Sequence, residues 1–272
     1  MNSDIGNSFT VDFLEAIRLA ELTQIEGILS NTVPAGAKIL EIGAGTGWQA
    51  RKLAARGYFV SAIDIPTSNH GNSRIWPIMD FDGRFIPFPD HSFDIVYSSN
   101  VLEHVEDFES LNKEIARVLR SNGTAIHYVP TSAWRAWSLA AFYPALARDL
   151  FKRVYDMLSV SYRGATQSAF GTVPGLNVQR SFLRKFLYRI VPHAHGAFGT
   201  CWTELFRFSR KSWDEVFSSS GWTVTAHTSN RLFLTGDMIF GERITTARRQ
   251  RLSHIFGSTA HLYVLKYRQD KK

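Results

Sequence analysis

The stretch Lys38-Ile-Leu-Glu-Ile-Gly-Ala-Gly-Thr-Gly-Trp-Gln-Ala-Arg-Lys-Leu-Ala-Ala-Arg-Gly-Tyr-Phe-Val-Ser-Ala-Ile-Asp64 decides the fold. Ile39, Leu40 and Ile42 form a short apolar run, the pattern of a strand buried on both faces. Gly43, Gly45 and Gly47 follow, and glycine lets the backbone turn sharply and approach a ligand closely. Residues 49–56 favour helix, with Gly57 at the expected stop. Residues 58–63 are rich in strand formers, and Asp64 falls at their carboxyl end. Strand, glycine loop, helix and strand together predict an open parallel sheet, in which ligands bind at the carboxyl edge.

The glycine spacing narrows the ligand. A dinucleotide fingerprint places its third glycine three residues after the second; here the glycines stand at 43, 45 and 47, with Trp48 next. Glu41, just before the loop, would sit poorly beside a pyrophosphate, whereas Asp64 can accept from two ribose hydroxyls. A cofactor with a ribose, a cationic centre and no phosphate fits better. Downstream, Phe81-Asp-Gly-Arg-Phe-Ile-Pro-Phe-Pro-Asp-His-Ser-Phe-Asp-Ile-Val-Tyr-Ser-Ser-Asn-Val-Leu-Glu-His-Val105 predicts a fourth strand over 93–99, with Ser99 and Asn100 at its edge. A helix is expected over 107–119. Arg117-Val-Leu-Arg-Ser-Asn-Gly123 then predicts a turn into a fifth strand over 124–129.

In order, these blocks resemble the class I S-adenosylmethionine (SAM)-dependent methyltransferases, in particular the methyltransferase type 11-like family. That family writes its loop as acid-x-Gly-x-Gly-x-Gly and a later block as Leu-Pro-Phe-Pro-Asp-x-Ser-Phe-Asp. The likeness runs from about residue 37 to 130. It implies an α/β fold with a Rossmann-like sheet of seven strands, mostly parallel with the last antiparallel, and a helical or loop insertion after strand five. It implies SAM as cofactor, held by Glu41, Gly43, Ala44, Gly45, Gly47, Asp64, Ile65, Ser99 and Asn100. Either Asp80 or Asp82 would stand beside the adenine amino group. Asp82 has the family's spacing, five residues before Pro87, and Asp80 competes with it.

The chain divides accordingly into an N-terminal helical segment (1–35), a SAM-binding core (36–130), a cap insertion (131–209) and the remainder of the core (210–272) with a basic excursion at 230–258. A third strand is expected over 75–80, at an edge because Pro77 cannot donate to a ladder. In the insertion, aromatic and basic residues alternate through a partly helical stretch that Pro144 interrupts. A loop over 164–179 and an apolar, basic segment over 182–191 follow. Strands six and seven are expected over 222–227 and 261–267.

Cys201 is the only cysteine, which excludes a disulfide framework and a cysteine-built metal site. The start carries no basic region followed by an apolar core, and no window approaches a membrane span. The expectation is a cytoplasmic protein. Charge is asymmetric: residues 1–130 hold 10 Lys/Arg against 16 Asp/Glu, and residues 131–272 hold 21 against 8. The second half therefore suits something anionic, a phosphate-bearing substrate or peripheral contact with the inner face of an anionic membrane. No motif for sequence-specific nucleic-acid binding is present.

Methyl transfer to oxygen needs alignment, exclusion of water and removal of a proton. The candidate bases are His104, just after strand four, and His193 and His195 in the insertion. His193, His195 and Glu204 could also suggest a metal site, but their spacing matches none recognised, and no metal is expected. His127 and Tyr128 at the end of strand five are further groups near the edge. The expected activity is O-methylation of a sugar or lipid-linked glycan hydroxyl. The alternatives are methylation of a lipid, quinone or other small molecule, or a binding module that kept the fold without catalysis.

Overall fold

The computed structural model describes residues 11–68, 71–164, 191–235 and 240–268. The strands are β1 (Lys38–Ile42), β2 (Phe59–Asp64), β3 (Met79–Asp80), β4 (Phe93–Ser99), β5 (Leu119–Pro130), β6 (Trp222–Ser229) and β7 (Ala260–Tyr267). They form one sheet in the order β3-β2-β1-β4-β5-β7-β6. Pairings from β3 through β5 are parallel, and β7 runs antiparallel to both its neighbours. The α/β class, the seven strands and the reversed last strand are as the sequence implied.

Seven helices accompany the sheet among the described residues: α1 (Val11–Thr32), α2 (Trp48–Ala54), α3 (Phe108–Val118), α4 (Ser132–Gly164), α5 (Glu204–Arg207), α6 (Arg210–Ser219) and α7 (Thr246–Phe256). Alternation along the strands assigns them to two layers. Ile39, Tyr97, Ile126 and Leu262 face α1 and α2 through Leu22, Ile25, Leu29 and Leu53. Leu40, Val96, Ala125 and Tyr263 face α3 and α6 through Leu111, Ile115, Trp213 and Phe217. A sheet buried on both faces needs apolar strands, which explains why β1 reads as an almost unbroken apolar run. The strand order reverses at β1, whose neighbours are β2 on one side and β4 on the other. The crevice beyond their carboxyl ends is therefore the place this topology provides for a ligand.

Three local readings are corrected. β3 has two residues rather than six, because Pro77 denies the ladder a donor and only Met79 and Asp80 pair with β2. β5 starts at Leu119, opposite Phe93, and residues 120–123 bulge before Thr124 rejoins Ile95. The Asn122-Gly123 turn chemistry is real, but it builds a bulge inside a strand rather than the entry to one. Pro144 lies inside α4 and does not interrupt it. Ala141 and Ala145, both buried, hold the helix on either side of the lost backbone bond. The loop and the apolar, basic segment expected beyond 164 lie, up to residue 190, outside the described residues.

Candidate active site

Two groups of side chains meet the carboxyl edge of β1, β2 and β4. The first is built around the glycine loop. Gly43, Gly45 and Gly47 have φ of 70°, 59° and 79°, in the left-handed region. Space is as restrictive as conformation. A Cβ on Gly43 would lie 2.3 Å from Val101 Cγ2, and one on Gly47 would lie 2.5 Å from Trp76 Cβ. The amides of Gly43 and Ala44 both donate to the Ile63 carbonyl, at 2.9 and 3.1 Å, which ties the loop to β2.

Asp64 completes that tie. Its Oδ2 accepts from the Gly45 amide and its Oδ1 from the Ile65 amide, each at 2.8 Å. Both oxygens keep a lone pair for a ligand hydroxyl. Glu41 differs from it. The residue is 2% exposed, and its Oε2 has no hydrogen-bond partner among the described residues. Burial pushes its carboxyl up to about 8, against the Ala50 amide and the charge of Arg18, which favour the ionised form; Asp64 adds to the rise. A buried acid with one oxygen left over beside a glycine cradle fits a cofactor that carries a cationic group. Arg18 reaches in from α1, donating to Glu21 Oε2 at 2.9 Å and Ser99 Oγ at 3.2 Å. The Glu21 carboxylate holds its guanidinium firmly charged.

At the end of β4, Asn100 takes a left-handed φ of 54°, and its amide donates to the Tyr128 carbonyl at 3.0 Å. Its side-chain amide donates to Ser99 Oγ at 3.2 Å. The two competing aspartates are occupied differently. Asp80 accepts from Arg74 at 2.6 Å. Asp82 is exposed, and its Oδ1 takes the amides of Arg84 and Phe85, at 2.8 and 2.7 Å, which hold its carboxyl below the usual range.

The second group begins two residues beyond Val101, whose methyls close on Gly43. Glu103 and His104 sit in a short 3-10 turn over Leu102–His104. The loop carrying His195 folds over it, with the Ala197 amide donating to the Glu103 carbonyl at 2.8 Å. Gly196 permits this approach, since a Cβ there would lie 2.6 Å from that carbonyl oxygen. The His104 and His195 rings stand 4.7 Å apart, and Trp134 is 4.7 Å from His195 on another side. Both imidazole Nε2 atoms point at Glu103 Oε1, at 3.7 and 3.8 Å. Burial lowers His104, although the Glu103 carboxylate opposes that effect.

Glu204 supports this loop from beneath. Its Oε1 accepts from the amides of His195 and Gly196, each at 2.7 Å, and its Oε2 lies 2.8 Å from Arg135 Nε. Arg135 also donates to the carbonyls of Cys201 and His193. Glu204 is thus engaged, and the suggested His193, His195 and Glu204 set does not assemble as ligands. Of the three candidate bases, the structure joins His104 and His195. His193 sends its carbonyl to Arg135 and is not part of that pair.

Two other readings are corrected. The Tyr128 hydroxyl turns to α1, donating to Gln24 Oε1 at 2.9 Å and the Glu21 carbonyl at 3.2 Å. His127 is buried against Ser98 Oγ at 2.8 Å, and burial drives it down to about 3. Both are scaffold. The sequence reading missed Arg18 and Glu103. Arg18 was hidden in a helix judged by its apolar positions, and Glu103 was passed over beside His104. An acid next to a histidine at a strand's carboxyl edge was the available signal.

The front of α4 joins the core: Trp137 packs edge-on against Phe233 and Phe256 at 5.6 and 5.1 Å. Farther along, Phe151, Val154 and Tyr155 are exposed. Among the described residues no helix is long and apolar enough to cross a membrane.

Comparison with known proteins agrees with this geometry. Residues 40–127 match the family described as Methyltransferase domain. An uncharacterized methyltransferase of Mycobacterium sp. (strain JLS) is 35% identical over 105 residues, covering 36% of this chain and 40% of that protein. A demethylmenaquinone methyltransferase of Corynebacterium urealyticum is 36% identical over 90 residues, covering 32% and 39%. The matches thus span about two-fifths of these relatives' own length. Among solved structures, a chain from the Haloferax volcanii complex of the Trm112 methyltransferase activator with a methyltransferase superposes with a TM-score of 0.53. Its identity is 15%, with 97% of this chain and 100% of that one covered. The chain shares its fold with that structure, and residues 40–127 are similar to the methyltransferase domain family.

Proposed function

We propose that the protein binds SAM at the edge of β1, β2 and β4 and directs methyl transfer to an oxygen of a small-molecule acceptor. The observation that carries this is Glu41, a buried carboxyl with an unpartnered oxygen, set beside a glycine loop that Asp64 pins. Asp64 would take the ribose hydroxyls and Glu41, with Arg18 nearby, the charged amino-acid end. Asp82, with one oxygen uncommitted, suits the adenine amino group better than Asp80, which Arg74 occupies. Ala44, Ile65, Ser99 and Asn100 would complete the walls. Bound SAM supplies a methyl group activated by its sulfonium.

This chain's own part is to orient, exclude water and take a proton. His104 and His195 stand at the same edge, within reach of an oxygen nucleophile placed over Val101. Glu103 beneath them opposes the effect of burial on His104 and so favours an imidazolium on that ring. The narrower acceptor reading, a sugar or lipid-linked glycan hydroxyl, draws on Trp134 beside His195. A quinone is the competing class, motivated by the Corynebacterium relative's name. Exposed Phe151, Val154 and Tyr155, with the basic second half, support a further contact with an anionic membrane. A non-catalytic binding module is the second reading, from a different class.

Isotopically labelled SAM incubated with the protein and a cell extract tests these together. Label is expected in a small-molecule, lipid or glycan fraction, and the fraction identifies the acceptor. Calorimetry showing tight NAD binding and none for SAM would sink the cofactor assignment; SAM binding without turnover into any fraction would leave the binding module.

A further inference from the structure

Glu103 presents an anomaly that the methyl-transfer reading does not require. Its side chain is wholly buried, 0% exposed, and neither carboxylate oxygen has a hydrogen-bond partner among the described residues. A buried polar group left unmade costs free energy comparable to a lost hydrogen bond, and more when charged. Such a residue persists when something absent from the protein atoms completes it.

The surroundings indicate what that is. Two imidazole nitrogens, His104 Nε2 and His195 Nε2, lie 3.7 and 3.8 Å from Glu103 Oε1. These separations are too long for hydrogen bonds. They are close to what a bridging ion needs: with ligand bonds of about 2.0–2.2 Å, tetrahedral donors stand roughly 3.4 Å from one another. All three donor atoms fall within 4.8 Å of one another. Both imidazoles are part-exposed, 46% and 37%, so an ion can enter and an open coordination position faces solvent. The supporting shell is already made. Glu204 fixes the His195 backbone through two amides, Arg135 fixes Glu204, and Ala197 holds the loop onto Glu103.

We infer that Glu103, His104 and His195 form a binding site for a divalent first-row transition-metal ion, zinc by preference of ligand type, with an open position for an oxygen ligand. Two imidazoles and one carboxylate are the donor set of open, exchangeable sites rather than closed structural ones. With an ion bound, His104 and His195 would act as ligands rather than bases, and seating an acceptor oxygen in the open position rests on the methyl-transfer reading; binding of the ion does not.

The test uses the full chain freed of metal by chelation. Zinc is titrated calorimetrically, and cobalt(II) is titrated optically as a probe of low-symmetry coordination. One tight equivalent is expected, with visible cobalt absorption. Glu103→Gln and His195→Ala should each weaken zinc at least as much as loss of an outer-shell partner does, about 10–100-fold. His193→Ala should leave it unchanged, although that residue is a near neighbour in sequence. His195 lies on a part-exposed loop, so its variant reports even if Glu103→Gln folds poorly. Equal zinc affinity in wild type and both variants, or no stoichiometric binding, overturns the site; Glu103 would then be only the carboxylate that orients two bases. SAM affinity measured on the same samples separates this outcome from failure of the cofactor reading.

Discussion

Two carboxylates lie along one sheet edge, and the protein treats them oppositely. Asp64, at the end of β2, gives both oxygens to backbone amides of its own loop before any ligand arrives. Glu103, just past β4, is equally buried and, among the described residues, gives neither oxygen to a hydrogen bond. The first is a preorganised wall: its charge is already stabilised, so it spends little reorganisation on binding. The second is an incomplete one, costly by itself and useful only when its partner is present. The proposed cofactor cradle and the proposed acceptor-side cluster, joined by the contact of Val101 with Gly43, thus follow different rules within one crevice.

The largest effect expected is at the finished wall. Hydrogen bonds to a charged group contribute about 1.5–3 kcal/mol each. Asp64→Ala removes the ribose acceptor and releases the Gly45 amide, so SAM affinity measured by calorimetry should fall at least ~100-fold. Normal binding by that variant would move the ribose site elsewhere and dissolve the contrast.

The opposite sign is expected at the unfinished wall. In metal-free protein, Glu103→Gln keeps the shape and removes a buried charge that lacks a partner, so it should stabilise the fold by about 1 kcal/mol or more. Thermal unfolding should rise by roughly 2–4 °C. Saturating zinc should reverse the order, raising wild type above the variant. A variant less stable than wild type without metal would show that Glu103 is satisfied by its two imidazoles alone.

What the sequence made legible follows the same division. The cradle is local: Glu41, three glycines and Asp64 lie within one βαβ unit, where spacing and chain geometry fix who meets whom. The strand pattern around it reported the sheet, because burial on both faces leaves an apolar run that composition reveals. The acceptor side is assembled from distant pieces. Glu103 and His195 are 92 positions apart in the chain, and only the fold of the 193–197 loop over the 3-10 turn brings them together. Arg18 reaches Ser99 across 81 positions for a similar reason. Local propensity also misjudged Pro144, since packing of Ala141 and Ala145 outweighed one lost backbone bond.

The smallest effect concerns Glu41, which stands between the two cases: buried like Glu103, placed in the cradle like Asp64. Arg18, Asp64 and Tyr97 are the charged or titratable groups that face it. Burial raises its carboxyl from 4.5 to about 8, so the free protein holds it largely protonated at neutral pH. Between those values the native state binds a proton that the unfolded state does not. Its contribution to stability is therefore complete below 4.5 and drains away as pH climbs through 8. A cationic ligand end beside it reverses the preference and favours the carboxylate. SAM binding at pH 7 should then release a proton from Glu41, up to about one per site. Calorimetry in phosphate and in Tris reads this directly, because the observed enthalpy shifts with the buffer's own heat of ionisation. The shift should shrink above pH 8, where Glu41 is already ionised, and vanish in Glu41→Gln. Identical enthalpies in both buffers for wild type at pH 7 would place the cationic end of the cofactor away from Glu41, and with it the axis along which the methyl group faces His104 and His195.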